Sequence, residues 1–165
     1  MFIVSLIVIV FMVAVDQILK YLVVQNIDLN EIIEVVKIGS TKVFSLTNIR
    51  NSGAAWSMMS GHTWFLIALP IIIIIMGFVY LYRIRNKSKL ELFSLAVLIS
   101  GGIGNLIDRI RFKEVVDFIK FEPINFPIFN FADICVVIGG IIFCFCFIFK
   151  DGSKSKKTGR KNAKS

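Results

Sequence analysis

Histidine is nearly absent: the chain has a single one, His62, in 165 residues. It follows Gly61 in a loop and stands alone, so no serine or cysteine nucleophile has an imidazole beside it to take its proton. Cysteine is scarce as well. Cys135, Cys144 and Cys146 all fall in the last apolar run, without C-x-x-C spacing. That pattern supports neither a disulfide framework nor a zinc site, and cysteines in such a run act as small apolar side chains. Neither a P-loop nor an H-E-x-x-H motif occurs, so the common phosphate-cradling and zinc-hydrolase signatures are missing. No cofactor and no metal are expected.

What the chain does have is oil. Hydrophobic residues make up 56% of it, against roughly 45–50% for a soluble domain, and the mean hydropathy is +0.80. A membrane-crossing helix needs about 20 mostly apolar residues. Four segments meet or approach this, at about 2–24, 64–82, 92–107 and 134–149. The first lacks a basic leader and a small-x-small cleavage site, so it reads as a retained span and not as a cleaved signal peptide. The expectation is one integral-membrane unit over 1–150, followed by a basic tail at 151–165.

Charge distribution orients the spans. The 83–89 loop holds Arg83, Arg85, Lys87 and Lys89 and no acid, and the tail from Lys150 holds seven basic residues against Asp151. By the positive-inside rule both are cytoplasmic, which places both termini inside. The tail reads as an orientation signal beside anionic phospholipid, with no nucleic-acid role. Residues 25–63 and 108–132 then form two outer loops, each charge-balanced. In the first, Ile32–Val36 and Lys42–Ile49 are rich in β-branched residues around a Gly39-Ser40-Thr41 turn. That predicts a small antiparallel sheet on the outer membrane surface. The fold class is therefore an all-α membrane protein of four transmembrane helices, N-in and C-in, with a small extracytoplasmic β-sheet.

The polar residues left over gather at one level. Asp16 and Lys20 are four apart and share a helix face, as an ion pair would require. Asn105, Asp108 and Arg109 close the third span. Asn51 stands beside Gly53, Ala54 and Ala55. Asp117, Asn130 and Asp133 follow in the second outer loop and at the mouth of the fourth span. An ionisable group inside a span costs about 2.5–3.5 kcal/mol on insertion scales, so five at one level need one another. Glycines at 101, 102, 104, 139 and 140 let the helices approach closely.

With other nucleophiles set aside, carboxylates remain. Two aspartates held close cannot both ionise easily; one keeps a proton while the other acts as general base on water. That chemistry needs no metal. The alternative is a four-helix ion or proton transporter with an outward-facing polar site, since membrane carboxylates also mark ion pathways. A transport route needs polar groups at several depths, and the second span has no charge at all.

DQILK at 16–20, NSGAAWS at 51–57, GNLIDR at 104–109, VVDF at 115–118 and FNFAD at 129–133 together resemble lipoprotein signal peptidase, or signal peptidase II, in order along almost the whole chain. The resemblance implies an intramembrane aspartic endopeptidase of the bacterial cytoplasmic membrane, multi-pass, with its site at the outer face. It implies a diacylglyceryl-prolipoprotein substrate cut N-terminal to the lipidated cysteine, sensitivity to cyclic peptides of the globomycin type, and a monomer among phospholipids. Carried over by position, the catalytic pair is Asp117 and Asp133. Asn51, Gly53, Asn105, Asp108, Arg109, Asn130 and Ala132 bind or orient substrate, and Asp16 with Lys20 forms a structural pair. Trp56 stands where phenylalanine is usual, and Pro123 and Pro127 keep any surface helix between the aspartates short.

A tag placed at Ser165 and another in the 83–89 loop are both expected to be protected in sealed, right-side-out membranes. Protease access to the tail would reverse the orientation.

Overall fold

The protein is described by a computed structural model over residues 1–53, 63–86 and 88–162. Ala54, Ala55, Trp56, His62, Lys87 and the tag position Ser165 lie outside the described residues. In chain order the elements are α1 (Phe2–Asn26), β1 (Ile32–Ile38), β2 (Thr41–Asn51), α2 (Thr63–Arg83), α3 (Lys89–Phe112), β3 (Val115–Phe121) and α4 (Phe131–Asn162). All four helices are long and apolar enough to cross a membrane.

The third helix is the hub. It packs against α1, α2 and α4, which touch one another little. In its most apolar stretch 67% of residues are buried, against 17%, 11% and 17% in α1, α2 and α4. The outer three therefore turn most of their side chains to lipid, and α3 fills the middle. Glycine makes this possible. A Cβ on Gly101 would stand 2.3 Å from the Ala132 carbonyl oxygen, and one on Gly139 would stand 2.6 Å from the Leu98 nitrogen. Backbone lies against backbone there, as in close membrane helix pairs.

The ends of α3 are chemically marked. The Ser88 hydroxyl accepts from the Glu91 amide at 3.2 Å, an N-cap. At the other end Lys113 adopts a left-handed conformation, φ 64°, and its N–H donates to the Arg109 carbonyl. This tight stop sends the chain directly into β3.

The sheet is antiparallel in the order β1-β2-β3. Gly39, at φ 61°, makes the turn between β1 and β2, where positive φ favours glycine. Two apolar clusters support the frame. Ile9, Leu81, Ile84, Leu92 and Ile99 join α1, α2 and α3. Val23, Ile27, Val116 and Phe118 fix the end of α1 to β3.

Several boundaries differ from the sequence reading. The third span runs to Phe112, so Asp108 and Arg109 lie within a helix and do not open a loop at 108. The fourth helix starts at Phe131 and includes Asp133 in its first turn, and the helix continues into the basic tail as far as Asn162. The sheet gains a third strand, Val115–Phe121, whose partner β2 lies far back in sequence. No local hairpin pattern announces such a pairing.

Candidate functional site

Asp117 sits on β3 with the sheet's period of two setting its neighbours. Ile49 of β2 stands opposite it, so Asn51, two residues on, is a diagonal neighbour on the same face. The Asn51 Nδ2 donates to Asp117 Oδ2 at 2.9 Å, and Asn51 Oδ1 accepts from the Gly53 amide at 2.9 Å. The carboxylate is 3% exposed, which leaves little water to solvate a charge.

Asp133 is held differently. Asn130 caps α4: its Oδ1 accepts from the Asp133 amide at 3.0 Å, while Asp133 Oδ2 accepts from the Asn130 amide at 3.0 Å. This is a reciprocal capping box with Asp133 at the third helical position. Asn130 is thus the residue that starts the helix.

Asn130 also reaches the other carboxylate. Its Nδ2 donates to Asp117 Oδ1 at 2.7 Å and to Asn105 Oδ1 at 3.1 Å. Asn105 Nδ2 in turn donates to Asp133 Oδ1 at 2.8 Å. Both aspartates are thus joined by one residue, with a second amide closing the circuit. Arg109 lies close by, its Nη2 donating to the Gly53 carbonyl at 3.2 Å.

Burial pushes the Asp117 carboxyl up from 3.8 to about 6. The hydrogen bond from Asn51 opposes this, the neighbouring Asp133 adds to it, and Asn130 and Lys20 oppose it in turn. A folded-state value above the unfolded one means ionisation costs stability. That contribution is full below about 3.8 and is lost as pH rises through about 6.

Behind the pair lies a second layer. The Lys20 ammonium contacts Asp16 at 2.9 Å and Asp108 at 3.1 Å, with all three side chains almost wholly buried, and donates to Asn105 Oδ1 at 3.0 Å. Asp16 Oδ1 accepts from the Ala132 amide at 3.0 Å. Asp108 Oδ2 accepts from the Val116 amide at 3.2 Å. The expected Asp16–Lys20 pair is present, and it ties α1 to α3, to the first turn of α4 and to β3. Asp108 belongs to this layer, held by Lys20 and the Val116 amide.

Gln17 is the residue the sequence reading passed over. Its Nε2 donates to Asp108 Oδ1 at 3.0 Å, to Asp16 Oδ2 at 3.2 Å and to the Gly104 carbonyl at 3.3 Å. The signal was its polarity in an apolar span beside Asp16. No cluster of metal-binding side chains occurs among the described residues.

Comparison with known proteins gives this geometry a family. A family model for signal peptidase (SPase) II matches residues 8–149. A lipoprotein signal peptidase of Lactiplantibacillus plantarum is 41% identical over 152 residues, covering 92% of this chain and 97% of that one. One from Brevibacillus brevis is 38% identical over 145 residues, covering 87% and 93%. A bacterial membrane enzyme solved by the in meso method at 2.3 Å superposes with a TM-score of 0.78 at 32% identity, over 92% of this chain and 90% of that one. Another, at 1.9 Å, gives 0.73 at 32% identity, over 87% and 92%. Fold and matches together define a multi-pass membrane protease. The chain belongs to the signal peptidase II family, and the transporter alternative finds no support.

Removing one partner from a buried ion cluster costs about 3–5 kcal/mol, because the remaining charge is left unpaired. Lys20→Met is therefore expected to lower the melting temperature in detergent sharply. Adding Asp16→Asn and Asp108→Asn to it should restore part of the loss. An unchanged transition in Lys20→Met would show these charges to be hydrated.

Proposed function

We propose that the chain removes signal peptides from prolipoproteins by aspartic catalysis at Asp117 and Asp133. Asn130, bonded to one carboxylate through its backbone N–H and to the other through its side chain, is the observation that carries this reading. Two carboxylates fixed around one amide share a proton, and the titration belongs to the pair. The ionised member takes a proton from water as the water attacks the scissile carbonyl. The protonated member polarises that carbonyl and then protonates the leaving amine. Neither step requires a metal.

The raised value of Asp117 fits the member that keeps its proton. Burial favours the neutral form, and Asp133 nearby adds to it. Arg109, anchored to the Gly53 carbonyl, presents the remaining guanidinium donors beside the pair, suited to a peptide carbonyl or to the diacylglyceryl ester region of substrate. Asn51 and Asn105 keep the carboxylates oriented. The substrate carries its diacylglyceryl group on the cysteine after the cut. The site opens at the outer face of the bacterial cytoplasmic membrane, and the enzyme works as a monomer among phospholipids. Cyclic peptides of the globomycin type would occupy the same place.

Asp117→Asn and Asp133→Asn should each lower cleavage of diacylglyceryl-prolipoprotein by about 100-fold or more, the scale of a lost general acid or base, with insertion and melting behaviour kept. Near-normal processing by either variant would sink the assignment. The pH profile of kcat/KM should fall on the basic side as the shared proton leaves, with an apparent pKa at or above about 6. A profile flat from pH 5 to 9 would remove the need for a shared proton.

A further inference from the structure

The sheet has a second face, turned away from the carboxylate pair. In the β2–β3 pairing Arg50 stands opposite Val116. The period of two then puts both on the face opposite to Asn51 and Asp117. Below them, between α1, α3 and the sheet, lies a cavity of about 400 Å³. That is the size of a small-molecule pocket, roughly 300–1,000 Å³. Lys20 and Asp108 line its buried end, 3.1 Å apart and matched to each other. The proposed cleavage makes no use of this space.

Two guanidiniums mark its outer part. Arg50 lies 5.9 Å and Arg111 4.9 Å from the centre of the Phe112 ring, so one ring draws both cations to the same wall. Among the described residues neither has a carboxylate within salt-bridge distance. Glu114 also lines the cavity. Since Lys20 and Asp108 offset each other, Arg50 and Arg111 against Glu114 leave one positive charge in excess. That suits a monoanion, whereas a second negative charge would be repelled by Glu114. Guanidinium forks match phosphate oxygens in geometry and charge. The mouth faces lipid. Tyr21 lines it, and Tyr21, Ile18, Ala14, Phe11 and Ile7 follow at steps of three and four, one face of α1. All five are exposed. From Tyr21 to Ile7 is 14 residues, or about 21 Å, longer than the apolar depth of one leaflet, about 15 Å.

We propose that this cavity binds the headgroup of an anionic membrane phospholipid, with Arg50 and Arg111 holding its phosphodiester and the acyl chains lying along the exposed face of α1. The inference is independent of the peptidase reading, because no atom of the carboxylate pair takes part. A phosphodiester carries the single negative charge that the walls leave unmatched. The apolar stripe below the mouth favours a lipid over a free phosphate, which has no chains to place there. An occupied cavity also joins α1, α3 and β2, the elements packed around Lys20 and Asp108, so the bound lipid braces that junction from the side opposite to the carboxylate pair.

The test uses the full chain purified in a neutral detergent, with lipid retention read by native mass spectrometry and stability by thermal melting. Added phosphatidylglycerol should be retained at one per chain and should raise the melting temperature, as binding to the folded state requires. Phosphatidylcholine, inorganic phosphate and glycerol 3-phosphate should each bind at least about five-fold more weakly. Arg50→Gln and Arg111→Gln should each weaken phosphatidylglycerol binding about five-fold, the scale of one basic side chain at an anionic lipid surface. Glu114→Gln should strengthen it, a gain that a misfolded variant could not give. Equal binding of phosphatidylglycerol and phosphatidylcholine would overturn the choice of an anionic lipid. An equal effect of inorganic phosphate would overturn the lipid itself. Full retention by the Arg50→Gln, Arg111→Gln double variant, or no gain in Glu114→Gln, would refute the site.

Discussion

The placement of the two site carboxylates depends on one buried ammonium. Lys20 faces Asp16, Asp108 and Asn105 inside an apolar bundle, where an unpaired charge would not survive. Its two carboxylates then use their remaining lone pairs on backbone amides, at Ala132 and Val116. Those two amides belong to the start of α4 and to β3, the elements that carry Asp133 and Asp117. A charge on the first helix thus fixes the relative placement of two side chains that are distant from it in sequence. The hydrogen bonds are individually modest, but in a low-dielectric interior each is strengthened, and each is costly to leave unmade.

Glycine and asparagine divide the rest of the work. Gly101 and Gly139 bring α3 and α4 into backbone contact, which brings Asn105 within reach of Asp133. Gly104 serves the charge layer, since a Cβ there would stand 2.6 Å from Asp16 Oδ2. The asparagines then do what charged residues could not. An amide gives a donor and an acceptor without bringing another charge, so Asn51, Asn105 and Asn130 hold the carboxylates of Asp117 and Asp133 in place without adding charge beside them.

The sequence made the spans readable because the membrane demands uninterrupted apolar length. It made Asp16 and Lys20 readable as a pair because the helix repeat places them on one face. That polar groups gathered at one level could also be read, since the charge pattern ordered the loops. Other features depend on distant partners and left no local trace. β3 has an apolar run with Asp117 and Lys120 inside it, and only β2, dozens of residues earlier, makes it a strand. Asp108 looked available until its contacts with Lys20, Gln17 and Val116 were in view. Helix ends were misjudged where polar residues end the apolar run before the hydrogen-bond ladder ends, as at Asp108–Phe112 and at Phe131–Asp133.

The exposed strand β1 has one more consequence. Among the described residues it is one edge of the sheet, and Ile32, Ile33, Val35, Val36 and Ile38 are all exposed. Such an edge invites pairing with the same edge of another molecule. Glu34 bridges Lys37 and Lys42, and the register breaks on both sides of Val36, so a second strand would meet fixed charges and an irregular ladder. Fixed charges and an irregular ladder are the devices by which an exposed apolar edge is kept from pairing.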